Sequence, residues 1–129
     1  MDCAIAKAAR LNLVSKSILF TGPPRGLTAA AVDMIVHKFG RTTSYRVGRV
    51  TSTNTDVVVQ YETGLFKFSS QIIIQGLNGQ PFSAAGDSGS LILERATNKA
   101  VGLLFAGSST HTIGNHIREV LAALSVSLV

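Results

Sequence analysis

The 129 residues carry 12 Lys and Arg against 7 Asp and Glu, a formal net charge of +5, and are 46% hydrophobic but only 15% charged. A chain of this length and apolarity buries a core of its own, which excludes a disordered chain. No apolar run approaches the roughly 20 residues that cross a bilayer. The opening Met1-Asp2-Cys3-Ala4 lacks the basic and apolar segments of a secretion signal, so the default location is cytoplasmic. The single cysteine, Cys3, excludes an internal disulfide and a cysteine zinc site and fits a reducing compartment. No cofactor or metal is expected.

In chain order, residues 2–9 are alanine-rich, and propensity alone allows a helix there. Residues 16–20 read as a strand. Gly22, Pro23, Pro24 and Gly26 mark 21–30 as a loop. Runs of β-branched and aromatic residues then predict strands over 33–39, 45–52 and 56–62, with Gly40, Gly48, Asn54 and Gly64 at breaks or bends. A further strand covers 70–76 and ends in the turn Leu77-Asn78-Gly79. Residues 89–95 and 100–107 form a hairpin around Thr97-Asn98. Only the end is helical: Ile117, Val120, Leu121 and Leu124 recur at i, i+3, i+4 and i+7, with Asn115 as N-cap. Short strands at close spacing predict an all-β fold, a small antiparallel barrel with a C-terminal α-helix, in one domain over 1–129.

Lys38, Arg41, Arg46 and Arg49 crowd one short region. A nucleic-acid patch is one interpretation. Solvated residues on a barrel exterior are the better one, because two Tyr and no Trp leave little to stack on bases.

The stretch with chemistry in it is Gly86-Asp87-Ser88-Gly89-Ser90. A serine hydroxyl is a poor nucleophile until a base takes its proton. Glycines beside it allow a tight turn with N–H groups aimed at one point, and those of Gly86 and Ser88 could form an oxyanion hole. Taken alone, the stretch is better read as a plain turn between strands.

Three other stretches change that weighting: Asp2-Cys3-Ala4-Ile5-Ala6, Gly40-Arg41-Thr42-Thr43-Ser44-Tyr45-Arg46-Val47-Gly48, and Ala100-Val101-Gly102-Leu103-Leu104-Phe105-Ala106-Gly107. With the serine loop, this ordered set resembles the C-terminal barrel of chymotrypsin-fold (trypsin-like) serine endopeptidases of the streptogrisin and α-lytic type. It covers nearly the whole chain, with Ser44 in place of a family glycine. The resemblance implies one Greek-key half of a double barrel, acting on a peptide or protein substrate. It implies Ser88 as nucleophile, Gly86 and Ser88 as oxyanion donors, and Asp2 as the triad aspartate. Phe105, Ala106 and Gly107 correspond to the strand that pairs with substrate, and Phe82, Ser83 and Ala84 to a wall of the specificity pocket. No acid stands in that wall, so a small or apolar side chain suits it better than Lys or Arg. Lys38 corresponds to the basic partner of the buried acid, Asp87.

The sequence also departs from the family. Its histidine precedes the aspartate, in an N-terminal barrel, and here only Met1 precedes Asp2. His37, His111 and His116 match no family base. Each reads as a surface or structural histidine, although sequence leaves a contact with Ser88 open. Phe105 stands where the family has a serine supporting the aspartate, and Ser90 replaces a glycine. Asp2 reads equally as a simple exposed terminal acid.

Three functional readings follow. The first is a peptidase half with nucleophile and oxyanion hole but no base, nearly inactive alone. The second is a non-catalytic peptide-binding or assembly module using the substrate-strand edge. The third is a nucleic-acid-binding barrel. Lack of the N-terminal barrel bares an apolar face, so a homo-oligomer is expected, formed through residues 120–129 or the alanine-rich N-terminus, or by swapping about the Pro23-Pro24 loop.

Overall fold

A computed structural model describes residues 1–128 of the chain. Its framework is six strands and one helix: β1 (Ile35–Gly40), β2 (Ser44–Tyr61), β3 (Gly64–Gly76), β4 (Leu91–Glu94), β5 (Ala100–Gly107), β6 (His111–His116) and α1 (Ile117–Leu124). The strands close into a barrel in the order β1-β2-β3-β6-β5-β4. Every pairing is antiparallel. The closing contact sets Val36 against Glu94 and His37 against Leu93. β1–β3 and β4–β6 are two meanders, and β3 and β4 are not neighbours. The 77–90 connection, which carries the serine loop, therefore runs from one side of the barrel to the other.

Alternation fills the interior. Ile72 and Ile74 of β3 are fully buried with Val36, Val50, Phe82, Ile92, Val101 and Leu104. A second cluster lies outside the barrel wall, where Leu93, Ala100 and Ile117 meet Ile18, Leu27, Leu91, Leu121 and Leu128. The apolar stripe of α1 is used here, with Ile117 and Val120 buried. Within 120–128 Val120 is buried and Leu121 and Leu128 pack on this cluster, while Ala122, Ala123 and Val126 are exposed; Val129 lies outside the described residues. Other exposed apolar side chains form two groups. Leu11, Leu13, Val14, Leu19 and Phe20 stand on the N-terminal segment, and Val58, Leu65 and Phe66 on the far end of the β2–β3 hairpin.

Several elements differ from the sequence expectation. Residues 2–9 form no helix. Both backbone groups of Asp2 are instead bonded to the Asn115 side chain, whose Nδ2 donates to the Asp2 carbonyl at 2.8 Å. That engagement removes Asn115 from the capping role. Asn115 belongs to β6, and the cap position falls on His116. Residues 16–20 are not a strand: Ile18 and Gly22 exchange both backbone hydrogen bonds across a tight reversal with Phe20 at φ 70°. Residues 45–52 and 56–62 belong to a single strand, because three register shifts between Val50 and Val57 absorb the irregularity around Asn54. β6 and residues 64–69 of β3 are strands not expected from the sequence. β6 carries weak strand propensity and is a strand because β3 and β5 pair with it, and residues 64–68 pair with the end of β2.

Core and hairpin tip should respond differently to truncation. Ile72→Ala is expected to cost about 2–5 kcal/mol, whereas Leu65→Ala, at a residue 68% exposed, should change stability by about 0.5 kcal/mol or less. Urea midpoints of the two variants measure the contrast.

Candidate active site

The serine loop is shaped by a buried carboxylate. Asp87 is 0% exposed. Its Oδ1 accepts the N–H groups of Thr42 at 2.7 Å and Thr43 at 3.2 Å. Its Oδ2 accepts the Thr43 hydroxyl at 2.6 Å and the Ala84 N–H at 3.0 Å. Thr42 and Thr43 form the turn between β1 and β2, so the carboxylate ties that turn to a loop more than 40 residues away. A Cβ on Gly40 would collide with the Asp87 carboxylate, and one on Gly86 with the Thr42 hydroxyl. These two glycines permit the close approach. Ser44 completes the turn at φ 57°, in the left-handed region a glycine occupies most easily.

Lys38 supplies the countercharge from inside the barrel. It too is 0% exposed, paired as the family resemblance implies and not solvated on the exterior as the basic cluster alone suggests; Arg41 and Arg49 are exposed. Its Nζ lies 3.6 Å from Asp87 Oδ2, donates to the Thr43 hydroxyl and donates to the Ser44 carbonyl at 2.9 Å. Thr43 therefore relays between the two charges, accepting from Lys38 and donating to Asp87. The Phe82 ring lies 5.7 Å from Nζ.

The electrostatics follow from these contacts. Burial alone would push the Asp87 carboxyl up. The Thr43 hydroxyl and the amides of Ala84, Thr42 and Thr43 overcome it and hold the group at about 2. Burial lowers the Lys38 ammonium below its ordinary value, opposed by the Asp87 charge and reinforced by Arg46.

Ser88 stands exposed on the loop. Its Oγ donates to the Phe105 carbonyl at 3.3 Å. Gly86 adopts φ 100° and Gly89 φ 90°. The Gly89 N–H donates to the Leu104 carbonyl at 2.7 Å, which docks the loop on β5, whereas the N–H groups of Gly86 and Ser88 make no bond within the described residues. Ser88 lines a cavity of about 650 Å³ with Ser83, Ala84, Ala85, Ala106 and Gly107, and no ionisable side chain reaches it. Ser83 bonds the Thr112 hydroxyl at 2.5 Å, both residues being buried.

The remaining residues singled out from sequence fall in different places. Phe82 packs in the core and Phe105 against Phe68, 5.0 Å between ring centroids; neither side chain lines the cavity. Asp2 sits with Tyr61 and Asn115, its carboxylate accepting the Tyr61 hydroxyl. None of the three histidines hydrogen-bonds Ser88. His37 Nε2 meets Asn98 Oδ1 at 2.7 Å and Nδ1 meets the Tyr45 hydroxyl at 3.0 Å. Because the Asn98 amide nitrogen donates to Thr21 and Pro23 carbonyls, its oxygen faces His37, so Nε2 carries the proton and Nδ1 accepts. His116 Nε2 bonds the Thr53 carbonyl, and His111 Nδ1 the Thr110 hydroxyl. Sequence reasoning missed Tyr61 and Asn115 as partners of Asp2. They lie 59 and 113 residues away, and no local pattern announces either.

The carboxylate has a measurable signature. The unfolded chain binds the Asp87 proton near the ordinary value of 3.8, the folded chain only near 2. Stability is therefore fully present above about pH 4 and is lost as pH falls through 2, an amount of about 2 kcal/mol. In Asp87→Asn this acid slope should flatten while overall stability drops; urea unfolding between pH 5 and pH 2 measures both.

Comparison with solved structures gives the same architecture. Cellulomonas bogoriensis chymotrypsin matches with a TM-score of 0.63 and 28% identity, covering 81% of this chain and 54% of that one. Thermobifida fusca protease A matches with a TM-score of 0.67 and 24% identity, covering 83% and 54%. A glutamic acid-specific serine protease matches with a TM-score of 0.62 and 25% identity, covering 92% and 57%. The chain thus spans little more than half the length of each. Comparison with curated proteins returns no match. The family model for peptidase family S64 matches residues 6–115, most of the barrel and the whole serine loop: the chain belongs to peptidase family S64.

Proposed function

We propose that the chain is the nucleophile-bearing half of a serine endopeptidase, hydrolysing peptide bonds once a histidine-bearing half is supplied. One observation carries this: Ser88 is exposed at the mouth of a cavity, on a loop whose Gly86 and Ser88 N–H groups are left without internal partners. Such donors suit a developing oxyanion. In this role Ser88 attacks the carbonyl, Gly86 and Ser88 stabilise the oxyanion, and Asp2 is the acid that orients the imidazole. The substrate backbone pairs with Phe105, Ala106 and Gly107. The cavity lining of alanine, glycine and serine suits an uncharged side chain before the scissile bond. The base comes from outside these residues, since His37, His111 and His116 are engaged elsewhere. The proteases that this chain resembles, each nearly twice as long, have room for such a half.

A second reading, peptide binding without chemistry, is favoured by the contact of the Ser88 hydroxyl with the Phe105 carbonyl rather than with a base. It uses the same strand edge. The apolar side chains exposed at Leu11, Leu13, Val14, Leu19 and Phe20 are the face on which a histidine-bearing half packs. A second copy covers that face when no such half is bound, and light scattering at tens of micromolar checks it: a strictly monomeric mass removes the homodimer.

Alone, the chain should accelerate ester hydrolysis by no more than roughly 10³–10⁴ over water, the residue left when a triad member is absent. Ordinary protease turnover that disappears in Ser88→Ala would make one of the three histidines the base and overturn the division into halves. Fusing upstream the part of Thermobifida fusca protease A that this chain does not span should produce Ser88-dependent peptide hydrolysis. A folded fusion without Ser88-dependent turnover supports the binding reading instead.

A further inference from the structure

Asp2 is exposed, and an exposed side chain ordinarily samples several rotamers. Here it is held at three points. Asn115, 1% exposed, accepts the Asp2 N–H and donates to the Asp2 carbonyl. Tyr61, the last residue of β2, donates its hydroxyl to Asp2 Oδ2 at 2.5 Å. Asp2 Oδ1 accepts no hydrogen bond from the described residues. Tyr61 is itself fixed. Its ring is edge-on to Phe66 and Phe68, with centroids 5.6 and 6.3 Å away, and Phe68 lies against Phe105. The Phe105 carbonyl accepts the Ser88 hydroxyl. An aromatic series thus runs from the support of the acid to the residue that the nucleophile touches.

We propose that Tyr61 is the positioning residue of the Asp2 carboxylate: its O–H occupies Oδ2 and turns Oδ1 outward, as an acceptor for the ring N–H of an incoming imidazole. The role rests on the peptidase reading, in which Asp2 is the acid. The physical reason is the strength of a charge-assisted O–H···O⁻ bond and the stiffness of a ring packed between two others. A carboxylate bound through one oxygen cannot swing, so the imidazole meets it in one orientation. The hydroxyl remains a donor across the working range of a peptidase, because burial first, and then the Asp2 hydrogen bond and charge, push the Tyr61 phenol up to about 12. The proton of Tyr61 stays on Tyr61 throughout; the proton that moves is the one passing from Ser88 to the imidazole.

Two measurements decide it. Tyrosine labelled with ¹³C at Cζ gives one resonance for each of the two tyrosines. In the chain as it stands, the Tyr61 resonance should titrate well above that of an ordinary phenol, and Asp2→Asn should lower its midpoint by about one unit. An unchanged midpoint overturns the pairing. In the fused peptidase, Tyr61→Phe should lower kcat by about tenfold or more, the effect of one hydrogen bond to a charged group, with KM unchanged because no substrate contact is lost. Tyr61→Phe should add nothing further in an Asp2→Asn background. Full activity of Tyr61→Phe, or a loss that multiplies with that of Asp2→Asn, overturns the positioning role. A folded fusion with no Ser88-dependent turnover removes the peptidase reading and this role with it, while the titration separately decides the pairing.

Discussion

The buried carboxylate of Asp87 is the constraint on which the site depends. A charge with no solvent contact is tolerated only where donors surround it. Four hydrogen bonds and a lysine at 3.6 Å meet that condition. Their sources are widely separated in sequence: Lys38 inside β1, Thr42 and Thr43 in the turn after it, and Ala84 in the serine loop. Satisfying the carboxylate therefore forces the turn, the strand and the loop into one arrangement. Gly40 and Gly86 are glycines because that arrangement brings side-chain atoms to where a Cβ would sit. Removal of the carboxylate leaves the turn amides unpaired and the loop held by its bonds to Leu104 and Phe105 and by the Thr42 hydroxyl on the Ala85 carbonyl.

On the peptidase reading the same group has an electrostatic consequence for the chemistry proposed at Ser88. A bare carboxylate one residue from Ser88 would oppose negative charge developing on an oxyanion nearby. Lys38, reached directly and through the Thr43 hydroxyl, offsets that field. The loop then keeps its shape from Asp87 without the full electrostatic disadvantage of having Asp87 there. Lys38 bears the cost, its ammonium depressed by burial. The ammonium also lies 5.7 Å from the Phe82 ring centroid, a contact in the range of cation–π attraction.

Much of this was legible in the chain, and the reasons separate by residue. The β5 strand and the α1 stripe are local patterns, and local patterns survive folding. The meaning of Gly86-Asp87-Ser88-Gly89 was not local; it became readable only with residues 2–6, 40–48 and 100–107, and the structure gives the reason for 40–48, since the turn and the loop are two parts of one hydrogen-bonded unit. β6 was hidden because His111–His116 has little strand propensity and is held by β3 on one side and β5 on the other. Lys38 shows the same division. Composition alone reads a lysine among arginines as solvated, whereas the family resemblance, which sets it against Asp87, gives the inward ion pair that the structure has. Phe82 adjoins two cavity residues, Ser83 and Ala84, yet packs in the core, because this connection is irregular and no strand period tells which of its side chains turns inward.

The supports of the site are unequally distributed, and the inequality has a kinetic meaning on the peptidase reading. Ser88 is placed by Asp87, Gly89 and β5, all within the barrel. Asp2 is placed by Asn115 and Tyr61, again within it. The groups that must meet an imidazole are thus prepared before any partner arrives, with no reorganisation left for the reacting step. The imidazole alone is positioned by packing between halves. Misplacement of a reacting group by about 1 Å can cost roughly 10²-fold in rate. Activity should then be governed less by the chemistry of Ser88 than by how well the second half seats on this barrel, so the interface acts as the gate of a site that is otherwise preformed.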